Sequence, residues 1–256
     1  MAENVIQLDR RNSCSEAEWQ TRIDLAACYR LVALYGWDDL IFTHISARVP
    51  GSHDHFLVNR YGLMFEEITA SSLVKVGLDG TVIDDEPDAI NPAGFTIHSA
   101  VHEARPDAGC VIHLHTTAGV AVSAQEDGLL PISQTALFPL AQISYHDYEG
   151  VALNPEEKQR LVAHLGRSNV MLLRNHGTLA LGPTVADAFL NIYTLERACA
   201  MQIAAQAGGG RLQHVPQPIV DGIMAQAKQV TRGLGGALAW PALLRKLDRI
   251  DPSFRN

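Results

Sequence analysis

Cysteine is scarce in this chain. Only Cys14, Cys28, Cys110 and Cys199 occur in 256 residues, and no two of them form a C-x-x-C pair. A scatter of this kind predicts free thiols in a reducing compartment. Basic charge is also short: 20 lysines and arginines stand against 28 acids, giving a formal net charge of -8. With no block of lysines and arginines to offset it, this balance argues against a nucleic-acid surface. No stretch approaches the roughly 18 continuous apolar residues of a membrane span. The opening segment, MAENVIQLDRRNSCSEAEW, lacks the apolar run of a signal peptide, so a cytoplasmic location is expected. Internal repeats and low-complexity tracts are absent too.

What the chain does have is an apolar fraction of 47% with 19% charged residues, the balance of a soluble globular protein large enough for a core without staples. Ser15-Glu16-Ala17-Glu18 has the spacing of a capping box. The apolar positions from Trp19 to Leu34 fall near helical spacing, and Gly36 is the expected stop. LIFTHISARV (Leu40–Val49) reads as a strand and HFLVN (His55–Asn59) as its hairpin partner. SLVKVGLDGTVID holds an Asp-Gly turn between two apolar runs, a second hairpin signal.

The second half changes rhythm. Ala93–Arg105 predicts a helix ending before Pro106, Val111–His115 a buried strand and Thr117–Gln125 a short helix. Pro155–Leu165 predicts a polar-faced helix, Val170–Arg174 a buried strand and TLALG another. Thr184–Ala207 predicts one long helix, ended by the glycines at 208–210. The expected division is a flexible N-terminus over 1–14, one domain over 15–212, and a tail over 213–256. The tail carries two amphipathic segments broken at Pro216, Pro218 and Pro241, and packs on the body or on a neighbouring subunit. Strands mixed with helices point to an α/β or α+β layered domain.

Eleven histidines stand out. His53, His55 and His164 sit in polar contexts and are expected to be solvated; His98 and His102 share a helix face, as a packed or capping pair or a metal pair. His113 and His115 differ, because they interrupt the apolar run GCVIHLHTTAGVAVSA, where an imidazole without a partner is costly. Residues i and i+2 of a strand point to one side, so both rings can converge on one ion. His176 follows the buried run VMLL at what reads as a strand mouth. If the two strands are neighbours, His113, His115 and His176 make a three-imidazole set with an open fourth position, the arrangement of a catalytic divalent ion. The plainer reading gives His176 a backbone bond at a turn.

From Trp19 to Ala207 the chain resembles the class II aldolase/adducin family, and within it the adducin heads and their bacterial relatives. The stretches that carry the likeness are GWDDLIFTHISARV, HFLVNRYGLMFEEITASSLVKV, NPAGFTIHSAVHEARPDAGCVIHLHTTAGVAVSA, GLLPISQTAL, ISYHDYEG and VMLLRNHGTLALG. The resemblance implies a three-layer α/β/α domain with a central mixed sheet. It also implies a divalent ion on His113, His115 and His176, most often zinc, with iron, manganese or cobalt as alternatives. It implies a homo-oligomer, a tetramer above all, with the site near a subunit interface and a small-molecule substrate.

The departures from the family pattern bear on function. The family's sugar-phosphate aldolases carry Ser-Ser-Glu where this chain has Pro92-Ala93-Gly94, so two phosphate-binding serines and the acid/base glutamate are missing there. The phosphate-loop asparagine is matched by the segment Thr43-His44-Ile45-Ser46, and a Thr-Gly by Tyr61-Gly62. A phosphorylated sugar is therefore a poor substrate candidate. Candidates to replace the acid/base are His44 and Tyr61 first, then Glu66, Glu67 and His98; a neutral imidazole can act as a base at physiological pH. Arg60, Arg174 and Lys75 are candidate carboxylate binders, and Tyr61, Phe65 and Phe95 candidate apolar lining. The expected function is a metal-dependent lyase, by aldol cleavage or decarboxylation, on a small non-phosphorylated hydroxy-carbonyl compound, aromatic ones included. The alternatives are a non-haem iron oxygenase on the same fold and a non-catalytic adducin-like binding module.

Overall fold

The computed structural model describes residues 10–84, 90–150 and 155–256. Residues 1–9 of the N-terminal segment lie outside them. The segment that follows is docked: Arg10–Ser13 forms a helical turn, α1, whose Arg10 is buried and bonds the Leu73 carbonyl. Helix α2 (Glu16–Leu34) begins as expected, with the Ser15 side chain accepting from the Glu18 N–H at 3.1 Å. The reciprocal half of the box is not made. The Glu18 carboxylate turns instead to Arg22 (2.9 Å) and Lys75 (2.8 Å), in a buried ion network that also holds Asp84. Lys75 is therefore a structural cation, neither solvated nor free for a substrate. Gly36, at φ +66°, ends the helix in the conformation glycine adopts without strain.

A seven-stranded sheet follows: β1 (His44–Arg48), β2 (His55–Val58), β3 (Val74–Gly77), β4 (Cys110–Leu114), β5 (Ile143–His146), β6 (Val170–Leu173) and β7 (Gly177–Gly182). Their spatial order is β3-β2-β1-β4-β7-β6-β5, antiparallel throughout except for the parallel β5–β6 edge. The sheet is mixed, as expected. The strand predicted from Leu40 is shorter at its start, because Leu40 (φ +51°) and a turn closed by Phe42 N–H to the Asp39 carbonyl at 2.9 Å bend the chain away. The Asp-Gly hairpin forms, but its second arm is a single bridge from Val76 to Val82 rather than a strand.

Alternation along the strands separates two cores. Cys110, Ile112 and Leu114 of β4 and Val170 and Leu172 of β6 face α2 and the long helix α7 (Val185–Ala207). Val111, Met171, Leu173, Leu179 and Leu181 face α3 (Pro92–Ala104) and α6 (Pro155–Leu165) on the other side. Helix, sheet and helix thus stack as three layers. Two short elements carried no periodic signal strong enough to read: α5 (Gln134–Leu140), with Pro139 inside it, and the edge strand β5. Helix α4 (Thr117–Ser123) is capped by Thr116. The tail forms α8 (Gln217–Thr231) and α9 (Trp240–Ile250), which lie on the body: Val220 and Ile223 pack on Leu137, Trp240 donates to Asp24 at 2.8 Å, and Phe254 is fully buried. Among the described residues no helix is long and apolar enough to cross a membrane.

Candidate metal centre

β4 and β7 are antiparallel neighbours, with Leu114 opposite Thr178. The end of one strand therefore meets the beginning of the other. Asn175 at φ +56° turns the chain, and Gly177 allows the close approach: a Cβ there would lie 2.3 Å from the Leu114 carbonyl oxygen. His176 is delivered beside His115, one residue past the end of β4, while His113 lies inside the strand. The three ring centroids are 4.7–4.8 Å apart, and one nitrogen of each ring lies within 4.8 Å of the others.

Hydrogen bonding decides which nitrogens these are. His113 Nδ1 faces the Thr178 carbonyl at 3.0 Å, and a carbonyl only accepts, so Nδ1 carries the proton. His115 Nδ1 faces Asp39 Oδ2 at 3.0 Å and donates to it in the same way. The two Nε2 atoms then point at each other across 2.9 Å. Two lone pairs do not hold that position unaided; a positive centre belongs between them, either a proton on one ring or an ion bound to both. A proton would leave His176 outside the arrangement, whereas an ion uses all three rings. Nitrogens at 2.0–2.1 Å around a tetrahedral ion lie about 3.3 Å apart, within reach of small ring rotations here. Burial, reinforced by the neighbouring rings, holds His113 well below the ordinary histidine range and lowers His176 to about 4, so both are neutral and able to ligate at pH 7. The donor set and its outer partners fit a divalent ion.

His44 sits next to this group, opposite His113 in the β1–β4 register. Its ring lies against Gly94 and 5.9 Å from the His98 ring. Both its nitrogens are buried with no hydrogen-bond partner among the described residues, as is Thr43 Oγ1. Burial first, then His115, lowers it to about 4, and the ring is neutral. Tyr61 is not brought to the group: it lies in the turn after β2, 40% exposed, and no hydrogen bond or ring contact joins it to the triad among the described residues.

The other candidates divide. Glu67 caps a short 3-10 turn through the Met64 N–H at 2.7 Å, and Glu66 is exposed. His98 and His102 are a packed pair on the buried hydroxyl of Ser46, at 2.6 and 2.8 Å. Arg174 is occupied by the Gln125 and Glu126 carbonyls and by the Tyr145 ring, and Arg60 lies in the turn after β2. Phe65 is fully buried against Tyr29 and is closed to a substrate, while half-buried Phe95 stacks on Phe56. His164 is not solvated alone; it meets His146 at 2.9 Å. His146, Glu157, Tyr148 and His176 line a common cavity.

Three further residues around the group went unread in the sequence. Asp39 orients His115, and Tyr148 stands over His176 at 6.2 Å. Glu196 is buried in α7 and accepts from the hydroxyls of Thr116 and Thr178. An acid on the apolar side of a long helix was the only available sign of the last.

The family model described as the Class II Aldolase and Adducin N-terminal domain matches residues 23–203. The chain belongs to the class II aldolase/adducin family. This family member is 61% identical over 251 residues, covering 97% of the chain and 96% of the relative, to a Pseudomonas aeruginosa protein named "Putative aldolase class 2 protein". It is 48% identical over 192 residues to alpha-adducin of Rattus norvegicus, covering 74% of the chain and 26% of that protein. Among solved structures, an aldolase II superfamily protein from Pseudomonas syringae superposes with TM-score 0.90 at 49% identity, covering 96% of this chain and 99% of that one. The L-fuculose 1-phosphate aldolase of Glaciozyma antarctica superposes with TM-score 0.79 at 26% identity, covering 93% of each. The family and its α/β fold are thereby fixed, and the aldolase branch supports lyase-type chemistry.

Proposed function

We propose that the chain is a metal-dependent lyase acting on a small, non-phosphorylated hydroxy-carbonyl compound. The observation that carries this reading is the convergence of His113 and His115 Nε2 at 2.9 Å with His176 beside them, the Nδ1 protons of the first two held outward by Thr178 and Asp39. His113, His115 and His176 would hold a divalent ion, zinc first. Such an ion supplies Lewis acidity for the oxygen that gains negative charge when a bond beside a carbonyl breaks.

The chain's own residues do the rest. Asp39 and the Thr178 carbonyl fix two of the rings in the ligating tautomer. His44, neutral and with neither nitrogen bonded among the described residues, is the group placed to take a proton from the substrate hydroxyl and return it to the product carbon. Burial keeps the ring in its neutral form, the one able to accept a proton. The same ring weighs against phosphate: it is uncharged, and Arg174 and Lys75 are engaged by the Gln125 carbonyl and by Glu18.

Leu40 and Phe42 are exposed beside Asp39, an apolar rim suited to a second copy of the chain, and a homotetramer is the assembly we infer from the family. A screen of hydroxy-aldehydes and hydroxy-acids, run with and without chelator and with His113→Ala as control, tests the reading. Cleavage that stops with chelator and in the variant supports it. Turnover indifferent to both overturns it, and oxygen uptake with bound iron would move it to the oxygenase class.

A further inference from the structure

Glu196 is 2% exposed and hydrogen-bonded only to two threonines, with no lysine, arginine or histidine bonded to it among the described residues. An acid in such a place is costly unless something nearby repays its charge. The two threonines show where to look. Thr116 follows His115 directly, and its Oγ1 accepts from the Gly119 N–H at 2.9 Å, capping α4, while its hydroxyl proton goes to Glu196. Thr178 stands two residues after His176; its hydroxyl also goes to Glu196, and its carbonyl accepts from His113 Nδ1. One carboxylate thus grips both chain segments that carry the three imidazoles.

We propose that Glu196 is a positioning residue for a cation on His113, His115 and His176, clamping through Thr116 and Thr178 the two segments that carry them. The inference rests on the triad holding a cation. Three imidazoles are neutral ligands, so a dication bound to them brings two positive charges into a partly closed site. Asp39 supplies one negative charge beside His115, and Glu196 a second behind Thr116 and Thr178. In the free protein burial pushes the Glu196 acid up to about 7, against the two threonine hydroxyls that favour its charged form. Glutamine at this position keeps the shape and one accepting oxygen for a threonine hydroxyl, turns the other contact into a donation from its NH2, and removes the charge.

The experiment uses the full chain stripped of metal and titrated with zinc against a competing chelator, and with cobalt followed by its visible absorption. For Glu196→Gln the expected result is zinc affinity weakened by about 10–100-fold and an altered cobalt spectrum. The metal-free melting temperature should be unchanged or raised, since an unpaired buried acid has been removed. Glu196→Asp, which keeps the charge on a shorter arm, should recover part of the affinity. Should Glu196→Gln fail to fold, Thr178→Val leaves the backbone carbonyl in place and should show the same loss. Equal zinc affinity and an unchanged cobalt spectrum in these variants overturn the inference. Metal-free melting lowered as much as zinc-bound melting also overturns it, as it marks a merely structural role. Failure of the unaltered chain to bind either metal instead removes the triad reading beneath it.

Discussion

The ring of His44 fills the space that a side chain at Gly94 would need: a Cβ on Gly94 would lie 2.4 Å from His44 Cε1. The two positions are complementary, one emptied and the other filled. The glutamate found there in the sugar-phosphate aldolases that the sequence resembles cannot be restored by a single substitution. Gly94→Ala should destabilise the fold by about 1–3 kcal/mol through overpacking. Pairing it with His44→Ala should recover much of that loss, giving a favourable coupling in a double-mutant cycle measured by urea denaturation. Additive losses would show that the ring moves aside freely.

Asp39 reaches His115 from a loop, and its effect is on the ring's tautomer. Asp39→Asn should weaken zinc binding by about 10–100-fold while leaving the melting temperature of the metal-free chain nearly unchanged. Competition with a chromogenic chelator reads the affinity directly.

Zinc should stabilise the native chain through mass action, by about 2.7 kcal/mol at a free concentration one hundred times the dissociation constant. His176→Ala, lacking one of three ligands, should lose nearly all of that gain. Thermal melts with and without zinc, for both proteins, provide the check; an equal gain in the variant would place the ion elsewhere.

Acid should unfold the protein partly through the Ser46 pair. Burial holds His98 well below the ordinary histidine value and lowers His102 to about 3. Between about pH 6.5 and 3 the unfolded chain therefore binds more protons than the folded one, so stability falls as pH falls through that window. The pair's contribution is on the order of a few kcal/mol at the acid end. Urea melts at pH 7.5, 6 and 5 should show the slope, and His102→Gln should flatten it.

Arg22 is buried between Glu18 and Asp84, at 2.9 and 2.8 Å. Arg22→Ala leaves two carboxylates without their shared partner and should cost about 3–5 kcal/mol. A loss under about 1 kcal/mol would show that Lys75, on Glu18, and Arg10, which reaches Asp84 at 3.2 Å, carry the network alone.

Much of the fold was legible because its signals are local. Ser15, Gly36 and the glycines after Ala207 mark helix ends through side-chain and φ chemistry that needs no distant partner, and the runs at Val111 and Val170 are too apolar for a surface. The short α5 and β5 escaped notice because seven residues with a proline, or four at a sheet edge, hold too little periodicity to show. Leu40–Phe42 read as strand from composition and is a turn, since the need to bring Asp39 to His115 is a tertiary demand. Phe65 reads as pocket lining and is fully buried, because a sequence shows hydrophobicity without showing direction.

The sequence by itself determined the layer class, the family likeness and the identity of the three imidazoles, because a pair of histidines inside an apolar strand and a third at a strand mouth are conspicuous wherever they fold. Only the tertiary structure decided that β4 and β7 are neighbours, that the His113 and His115 nitrogens face each other, that His44 fills the space a side chain at Gly94 would need, and that Glu196 joins Thr116 to Thr178. Those relations depend on strand register and on which atoms are left without water, and both arise only when segments far apart in the chain are packed together.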